Sequence, residues 1–152
     1  MARSGLALWR WALRVSERIF VDTSVLMYAH DLEGEVKRAI AEHVLRQLWD
    51  DENGVLSGQV LQEFYAALTS GVSPVPRRAA RDLVGAYSVW PVVTLDASDL
   101  LTASDFEERY RLTLRDALIV VAARKSNATL LLSERLQPFR PIAGLEVRNP
   151  FA

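Results

Sequence analysis

The chain has 152 residues and a formal net charge of −1, so no overall excess of basic charge marks it for nucleic acid or a membrane surface. Half of its residues are hydrophobic and 24% are charged, which is typical of a soluble globular chain that forms one domain. The lack of cysteine excludes disulfides, thiolate metal sites and cysteine nucleophiles. Only His30 and His43 supply imidazole, so carboxylates are the main chemical resource.

The N-terminal segment differs from the rest of the chain. Residues 1–14 combine arginines with leucines and tryptophans and contain no acidic residue. The apolar run is too short for a signal-peptide core, and no stretch reaches the ~18 apolar residues of a membrane span. We interpret residues 1–17 as an appendage or a misassigned start, residues 18–152 as one domain, and the chain as cytoplasmic. A membrane-surface helix is the alternative for the appendage, because its apolar residues have helical spacing.

After the appendage, apolar runs that predict strands alternate with amphipathic patterns that predict helices. The predicted strands are residues 18–21, 55–57, 91–95 and 129–133, with a short edge strand at 145–147. The predicted helices are a short one directly after Asp22 and longer ones at 35–51, 59–70, 77–89, 97–110 and 113–125. This alternation predicts an α/β fold with a parallel sheet of four to five strands, covered by helices on both faces.

Two segments are apolar enough to be placed inside this fold. Strand 129–133 is apolar throughout and is therefore predicted to be central in the sheet. The middle of helix 113–125 is apolar on every side, which is typical of a helix buried between layers. The seven glycines are scattered, so the sequence has no glycine-rich loop for binding a nucleotide phosphate.

Three carboxylates stand where predicted strands end or predicted helices begin. Asp22 directly follows the first strand. Glu63 lies in the opening turns of the third helix, and Asp116 lies in the first turn of the last one. Because strand ends and helix starts share one edge of a parallel sheet, we expect these acids to converge. Converging carboxylates repel one another unless a cation neutralises them, and Mg²⁺ or Mn²⁺ suits such oxygen ligands and serves phosphoryl chemistry.

Each acid also has a purely structural interpretation. Asp22 is a good N-cap for the helix that follows it. Glu63 fits an ordinary solvated acid on a helix surface. Asp116 lies three residues after Thr113, as in a capping box, and there it favours the helix dipole. The edge that the three acids share is what favours chemistry over these local roles.

A family resemblance is carried by four ordered segments and a short closing one: residues 19–26, 60–65, 116–120, 132–136 and 148–151. Together they resemble the PIN-domain ribonucleases, with the greatest likeness to the VapC-type toxins of bacterial toxin–antitoxin pairs. The resemblance spans nearly everything after the appendage. It implies a three-layer α/β/α sandwich, RNA cleavage that depends on Mg²⁺ or Mn²⁺, a homodimer and a cognate antitoxin protein.

By motif position, the resemblance assigns the catalytic, metal-binding roles to the three acids already described. It also implies a set of hydroxyl residues that support them: Thr23, Ser24 and Ser133.

The sequence departs from the family pattern at two positions. Arg135 stands where relatives commonly carry a fourth acid, and Arg115 precedes Asp116 where an aromatic residue is common. Glu134, next to Arg135, is the remaining candidate for a further metal ligand. Both arginines are candidate RNA contacts, because Arg often binds phosphate, and the alternative for each is an exposed basic side chain. An inward Arg135 would weaken or displace a second metal ion.

Two functional hypotheses from different classes follow from these residues. The first is a metal-dependent endoribonuclease that hydrolyses RNA phosphodiester bonds as the toxin of a toxin–antitoxin pair. The second is a weakened PIN-fold protein that binds RNA or an antitoxin without efficient turnover, because Arg135 replaces the fourth acid. A phosphatase with an aspartyl nucleophile is a more distant alternative, since Ser24 stands where such an enzyme has its second acid.

Overall fold

The structure is a computed structural model that describes residues 17–30, 34–71, 73–136 and 141–152. The predicted N-terminal appendage, with its membrane-surface alternative, lies outside the described residues except for Glu17. Within the described part, no helix combines the length and apolar character that crossing a membrane requires.

The described residues form strands and helices in the predicted alternating order. The strands are β1 (Ile19–Val21), β2 (Gly54–Ser57), β3 (Val92–Val93), β4 (Leu130–Leu132) and β5 (Glu146–Arg148). The helices are α1 (Thr23–Ala29), α2 (Glu35–Asp51), α3 (Gly58–Thr69), α4 (Arg77–Tyr87), α5 (Ala97–Tyr110) and α6 (Leu114–Lys125). All predicted strands and helices are thereby confirmed, with shifts of a few residues at their ends.

The five strands form one parallel sheet in the order β3-β2-β1-β4-β5. β1 takes the middle place, and β4, for which a central place was predicted, lies beside it in the interior of the sheet. Both strands are completely buried and apolar, so composition alone does not distinguish their positions. The strand predicted for the edge, β5, is confirmed there. β3 is shorter than predicted, because this opposite edge strand pairs with β2 over only two residues.

Helices cover the sheet in two groups, which confirms the three-layer α/β/α sandwich. Helices α1 to α4 pack against one another, with α2 and α3 on β2. Helices α5 and α6 form the other group, and α6 lies against β2 and β4. Most residues of α6 are buried, as its apolar sequence predicts. Since α6 precedes β4 and runs against it, the N-terminus of α6 lies at the edge where the strands end.

The register of β1 and β4 sets the position of the first acid. Val21 pairs with Leu132, and the Asp22 N–H donates to the Leu132 carbonyl at 3.0 Å. Asp22 and Ser133 directly follow β1 and β4 and therefore lie side by side at the carboxyl edge of the sheet.

Candidate active site

Asp22 lies at the centre of the carboxyl edge and has two roles at once. Its side chain accepts the Thr23 N–H at 2.7 Å, so Asp22 is the N-cap of α1, as the structural interpretation predicted. The same carboxylate accepts the Ser133 hydroxyl at 2.7 Å on its other oxygen. Asp22 is 0% exposed. Burying an ionised carboxylate is costly unless it is paired, so a cation is required nearby.

Glu63 approaches Asp22 from α3, the helix that follows β2. Its Oε2 accepts the Thr23 hydroxyl at 2.8 Å, and its Oε1 accepts the Gln59 amide at 3.1 Å. Glu63 is thus not a freely solvated helix acid, because its side chain is only 29% exposed and bonds to a residue 40 positions away.

Asp116 reaches the same edge from the first turn of α6. The Thr113 hydroxyl accepts the Asp116 N–H at 3.1 Å, which makes Thr113 the N-cap of the helix. The Asp116 carboxylate does not complete a capping box; it faces the other two acids, where it contacts an arginine. The local capping pattern therefore fixes the Asp116 backbone and leaves its carboxylate for the site.

Arg115 occupies the space between the three acids. Its Nη2 lies 2.7 Å from Asp22 Oδ1 and 2.6 Å from Glu63 Oε2. Its Nη1 lies 3.2 Å from Asp22 Oδ2 and 3.0 Å from Asp116 Oδ1. Its Nε lies 3.1 Å from Glu63 Oε1. One guanidinium thereby joins carboxylates from three separate segments, and Arg115 is not the exposed side chain that the alternative interpretation described.

The electrostatics of this cluster favour the charged forms of Glu63 and Arg115. Burial acts to raise the pKa of the Glu63 carboxyl, but hydrogen bonds from Arg115, Thr23 and Gln59 outweigh it and lower that pKa below 4.5. Burial also acts to lower the pKa of the Arg115 guanidinium, and hydrogen bonds to Asp22 and Glu63 reverse this and raise it. The pair of Glu63 and Arg115 is thus held in its ionised form.

The family resemblance implies a divalent cation, and the cluster meets the requirements of such an ion in part. The carboxylates and the Thr23 and Ser133 hydroxyls are hard oxygen donors of the kind that Mg²⁺ and Mn²⁺ prefer. Among the described residues, however, no group of three or more acidic, histidine or cysteine side chains is arranged to hold a metal ion. The chemistry of the donors fits the metal, whereas their geometry with Arg115 in place does not.

The predicted supporting residues divide into two sets. Thr23 and Ser133 contact the acids directly, through Glu63 and Asp22 respectively. Ser24 instead accepts the Glu134 N–H at 3.4 Å. The Glu134 carboxylate forms an ion pair with Lys37 and shares no described partner with the three acids. The structure therefore does not bring the candidate fourth ligand into the cluster.

Arg135 lies at the rim of the site, beside a pocket of about 800 Å³. Its side chain is 57% exposed, and its Nε is 3.7 Å from Asp116 Oδ1. The pocket opens next to Asp116 and is lined by a set of basic, aromatic and apolar residues that includes Arg109, Tyr110 and Arg111. Arg135 is therefore neither fully inward nor free of the acids.

Two features of the site were not predicted from the sequence. Gln59 donates to Glu63 and, at 3.4 Å, to the Arg115 carbonyl. Its position one helical turn before Glu63 was the available signal. The role of Arg115 as the partner of all three acids was also not predicted, since nothing in the local sequence shows which way its side chain turns.

Comparisons with known proteins support the resemblance. The family model described as "PIN domain" matches residues 19–135, which is more than half of the chain. No curated protein gives a significant match.

Several solved structures have the same fold. A toxin–antitoxin complex from Klebsiella pneumoniae has a TM-score of 0.66 at 19% identity, covering 88% of this chain and 97% of that chain. DNA-bound VapBC from Salmonella typhimurium has a TM-score of 0.64 at 13% identity, covering 88% and 98%. VapC20 from Mycobacterium tuberculosis, described as a sarcin–ricin loop cleaving toxin, has a TM-score of 0.57 at 21% identity, covering 74% and 86%. At these identities the likeness establishes the fold.

The region matched by the family model begins in β1 and ends at Arg135, so it contains every member of the acidic cluster. The sequence motifs, the order of the strands in the sheet and the convergence of the acids are all consistent with this match. The chain belongs to the PIN domain family.

Proposed function

We propose that this chain is an endoribonuclease that hydrolyses RNA phosphodiester bonds and is the toxin of a toxin–antitoxin pair. The observation that carries the proposal is the convergence of Asp22, Glu63 and Asp116 on one edge of the sheet. Such a cluster is a poor way to gain stability, because well-packed apolar residues stabilise a buried position as well or better. The burial of Asp22 is therefore better explained by a catalytic role than by a contribution to stability.

The proposed cofactor is Mg²⁺ or Mn²⁺, held by the three acids. When bound, such an ion supplies charge stabilisation at a phosphate and an activated water. The surrounding residues orient the ligands: Thr23 holds Glu63 at 2.8 Å, and Ser133 holds Asp22 at 2.7 Å. Thr23 begins α1 just after β1, and Ser133 directly follows β4, so both hydroxyls are positioned by neighbouring strands of the sheet.

The pocket beside Asp116 is the proposed path of the RNA. Arg109, Arg111 and Arg135 line it, and arginine contacts to phosphate position a nucleic acid without reading its sequence. A chain with a net charge of −1 needs such a local concentration of basic residues, because its overall field does not attract RNA.

A cognate antitoxin, a homodimer and a cytoplasmic location complete the proposal. The antitoxin is supported by the likeness to a structure described as a toxin–antitoxin complex, whereas the homodimer and the cytoplasmic location are proposed from the family resemblance alone. Light scattering on the purified chain, alone and co-expressed with the protein of the neighbouring reading frame, measures both assemblies. A monomer that forms no complex with that protein would contradict this part.

One observation favours the second candidate, a PIN-fold protein that binds RNA or an antitoxin without efficient turnover. The sequence predicts Arg135 as the positive charge that would weaken metal binding, but the cation that lies between the acids is Arg115. If Arg115 never leaves this position, the acids cannot serve catalysis.

Cleavage of labelled RNA by the purified protein with Mg²⁺ or Mn²⁺ separates the two candidates. For the nuclease, Asp22→Asn and Asp116→Asn should each abolish cleavage, because each removes a charge from the cluster while keeping the side-chain shape. The matched control is Asp82→Asn, which alters an exposed acid on α4 and should cleave like wild type. Activity that survives Asp22→Asn would point to a contaminating nuclease, and RNA binding without any cleavage would favour the second candidate.

A further inference from the structure

The Arg115 side chain uses its full hydrogen-bonding capacity on the three acids. A guanidinium has five N–H donors. Nε takes Glu63, Nη1 takes Asp22 and Asp116, and Nη2 takes Asp22 and Glu63. With Asp22 and with Glu63 the contact is bidentate, which is the strongest geometry between arginine and a carboxylate. No comparable saturation is present at Arg135, whose one described contact with the acids is the 3.7 Å approach to Asp116.

The carboxylate oxygens are correspondingly occupied. Each Asp22 oxygen has one bond from Arg115 and a second from Thr23 or Ser133. Each Glu63 oxygen likewise has one bond from Arg115 and a second from another side chain. Of the six oxygens, only Asp116 Oδ2 has no described partner. A metal ion entering this cluster would have to break bonds to Arg115.

We propose that Arg115 is a built-in counter-ion that occupies the position of the divalent cation, so that metal binds only when the Arg115 side chain withdraws. The inference rests on the proposed function, because it takes the three acids to be the metal ligands. It goes beyond that function in assigning an autoinhibitory contact to a residue of the chain itself. A metal ion and the Arg115 guanidinium compete for the same carboxylate oxygens, and as like charges they also repel one another.

Withdrawal of Arg115 needs no change of the backbone. Its side chain is 23% exposed, so part of this side chain already reaches solvent. Arg115 also lies directly before Asp116, which lines the 800 Å³ pocket. A rotation of this long side chain is therefore enough to exchange it for a metal ion, while α6 stays in place.

The test measures binding of Mn²⁺ to the protein without RNA, by isothermal titration and by the electron paramagnetic resonance signal of free Mn²⁺. Wild type should bind weakly, and Arg115→Met should bind at least tenfold more tightly. Arg135→Met is the matched control, because it removes one positive charge from the rim without emptying the space between the acids. It should shift the affinity by less than threefold. Adding Asp22→Asn to Arg115→Met should abolish binding.

The outcomes separate this inference from the proposed function. If wild type and Arg115→Met bind Mn²⁺ equally well and Asp22→Asn abolishes both, the metal site stands and the counter-ion role is wrong. If neither protein binds Mn²⁺, the metal ligands themselves are wrong and both proposals fall. An equal gain from Arg135→Met would show a general charge effect and would also overturn the counter-ion role.

A measurement on wild type keeps the inference testable if Arg115→Met does not fold. The Nε–H of Arg115 should give a nuclear magnetic resonance signal protected from exchange with water, because it is bonded to Glu63. Saturating Mg²⁺ should remove that protection while the backbone amides of α6 keep their positions. An Arg115 signal that stays protected in the metal-saturated protein would contradict the proposal.

Discussion

Arg115 and Arg135 show how differently two arginines near one acidic site are placed. Arg115 is three-quarters buried and bonded to three carboxylates, whereas Arg135 is more than half exposed and approaches only Asp116. At 3.7 Å the approach to the buried Asp116 is loose, and solvent around the exposed Arg135 side chain screens it. Arg135 is therefore available for a phosphate in a way that Arg115 is not.

Arg135→Gln should weaken RNA binding without weakening the fold. The loss should be similar for all RNA sequences, and the slope of log affinity against log salt should fall by about 1, as expected for one lost phosphate contact. Fluorescence anisotropy without divalent metal, at several salt concentrations, measures both quantities. Arg78→Gln, on the exposed surface of α4, is the control and should change neither. Faster cleavage by Arg135→Gln would instead mean that this charge disturbs the catalytic site.

At the scale of elements, β2 and the segment that follows α4 are in close contact. Gly54 begins β2, and a Cβ built on it would lie 2.5 Å from the Trp90 ring. Trp90 cannot easily move away, because it is buried and its ring lies 5.7 Å from the Trp49 ring and edge-on to the Tyr87 ring at 5.8 Å. Gly54 is thus required by close packing of an aromatic ring on the strand.

Gly54→Ala should lower the free energy of unfolding by about 1–3 kcal/mol, since the added methyl group forces the aromatic rings apart. Gly58→Ala is the matched control at the start of α3, where an added Cβ meets nothing within 4 Å. There the substitution should be neutral or stabilise by up to ~1 kcal/mol, because alanine restricts the unfolded chain. Urea unfolding of both variants measures the difference. Equal stability of the two would refute the packing argument.

At the scale of the whole molecule, the acidic cluster links stability to pH. The pKa of Glu63 is lowered in the folded state, so below its usual value of 4.5 the unfolded chain binds more protons than the folded one. The stabilising contribution of Glu63 is therefore complete above about pH 4.5 and is lost as the pH falls through the lowered folded-state pKa.

Glu63→Gln should flatten this acid branch of the stability curve. Wild type should lose free energy of unfolding steadily as the pH falls below about 4.5, and the variant should lose less over the same interval. Urea unfolding at closely spaced pH values measures the two slopes. Glu108→Gln, an exposed acid on α5, is the control and should retain the wild-type slope. A variant curve parallel to that of wild type would show that Glu63 does not contribute.

The sequence by itself determined the order and type of the elements and the edge at which the acids meet. Apolar runs and helix caps are local properties: continuous apolar runs specify β1 and β4, and Thr113 specifies the start of α6. Parallel topology then follows from the alternation of strands and helices, and it places Asp22 and Asp116 at one edge. These features were predictable because each depends on residues a few positions apart.

The tertiary structure decided which side chains meet across that edge. The local sequence allows Arg115 to point to solvent or inward, and only the approach of α3 and β1 provides the carboxylates that hold it inward. Glu134 likewise turns to Lys37, a partner 97 positions away. β1 rather than β4 takes the middle of the sheet although both are fully apolar. A long charged side chain takes the direction in which its charge is compensated, and the order of strands depends on how distant segments pack. Both therefore depend on contacts between distant segments and not on the local sequence.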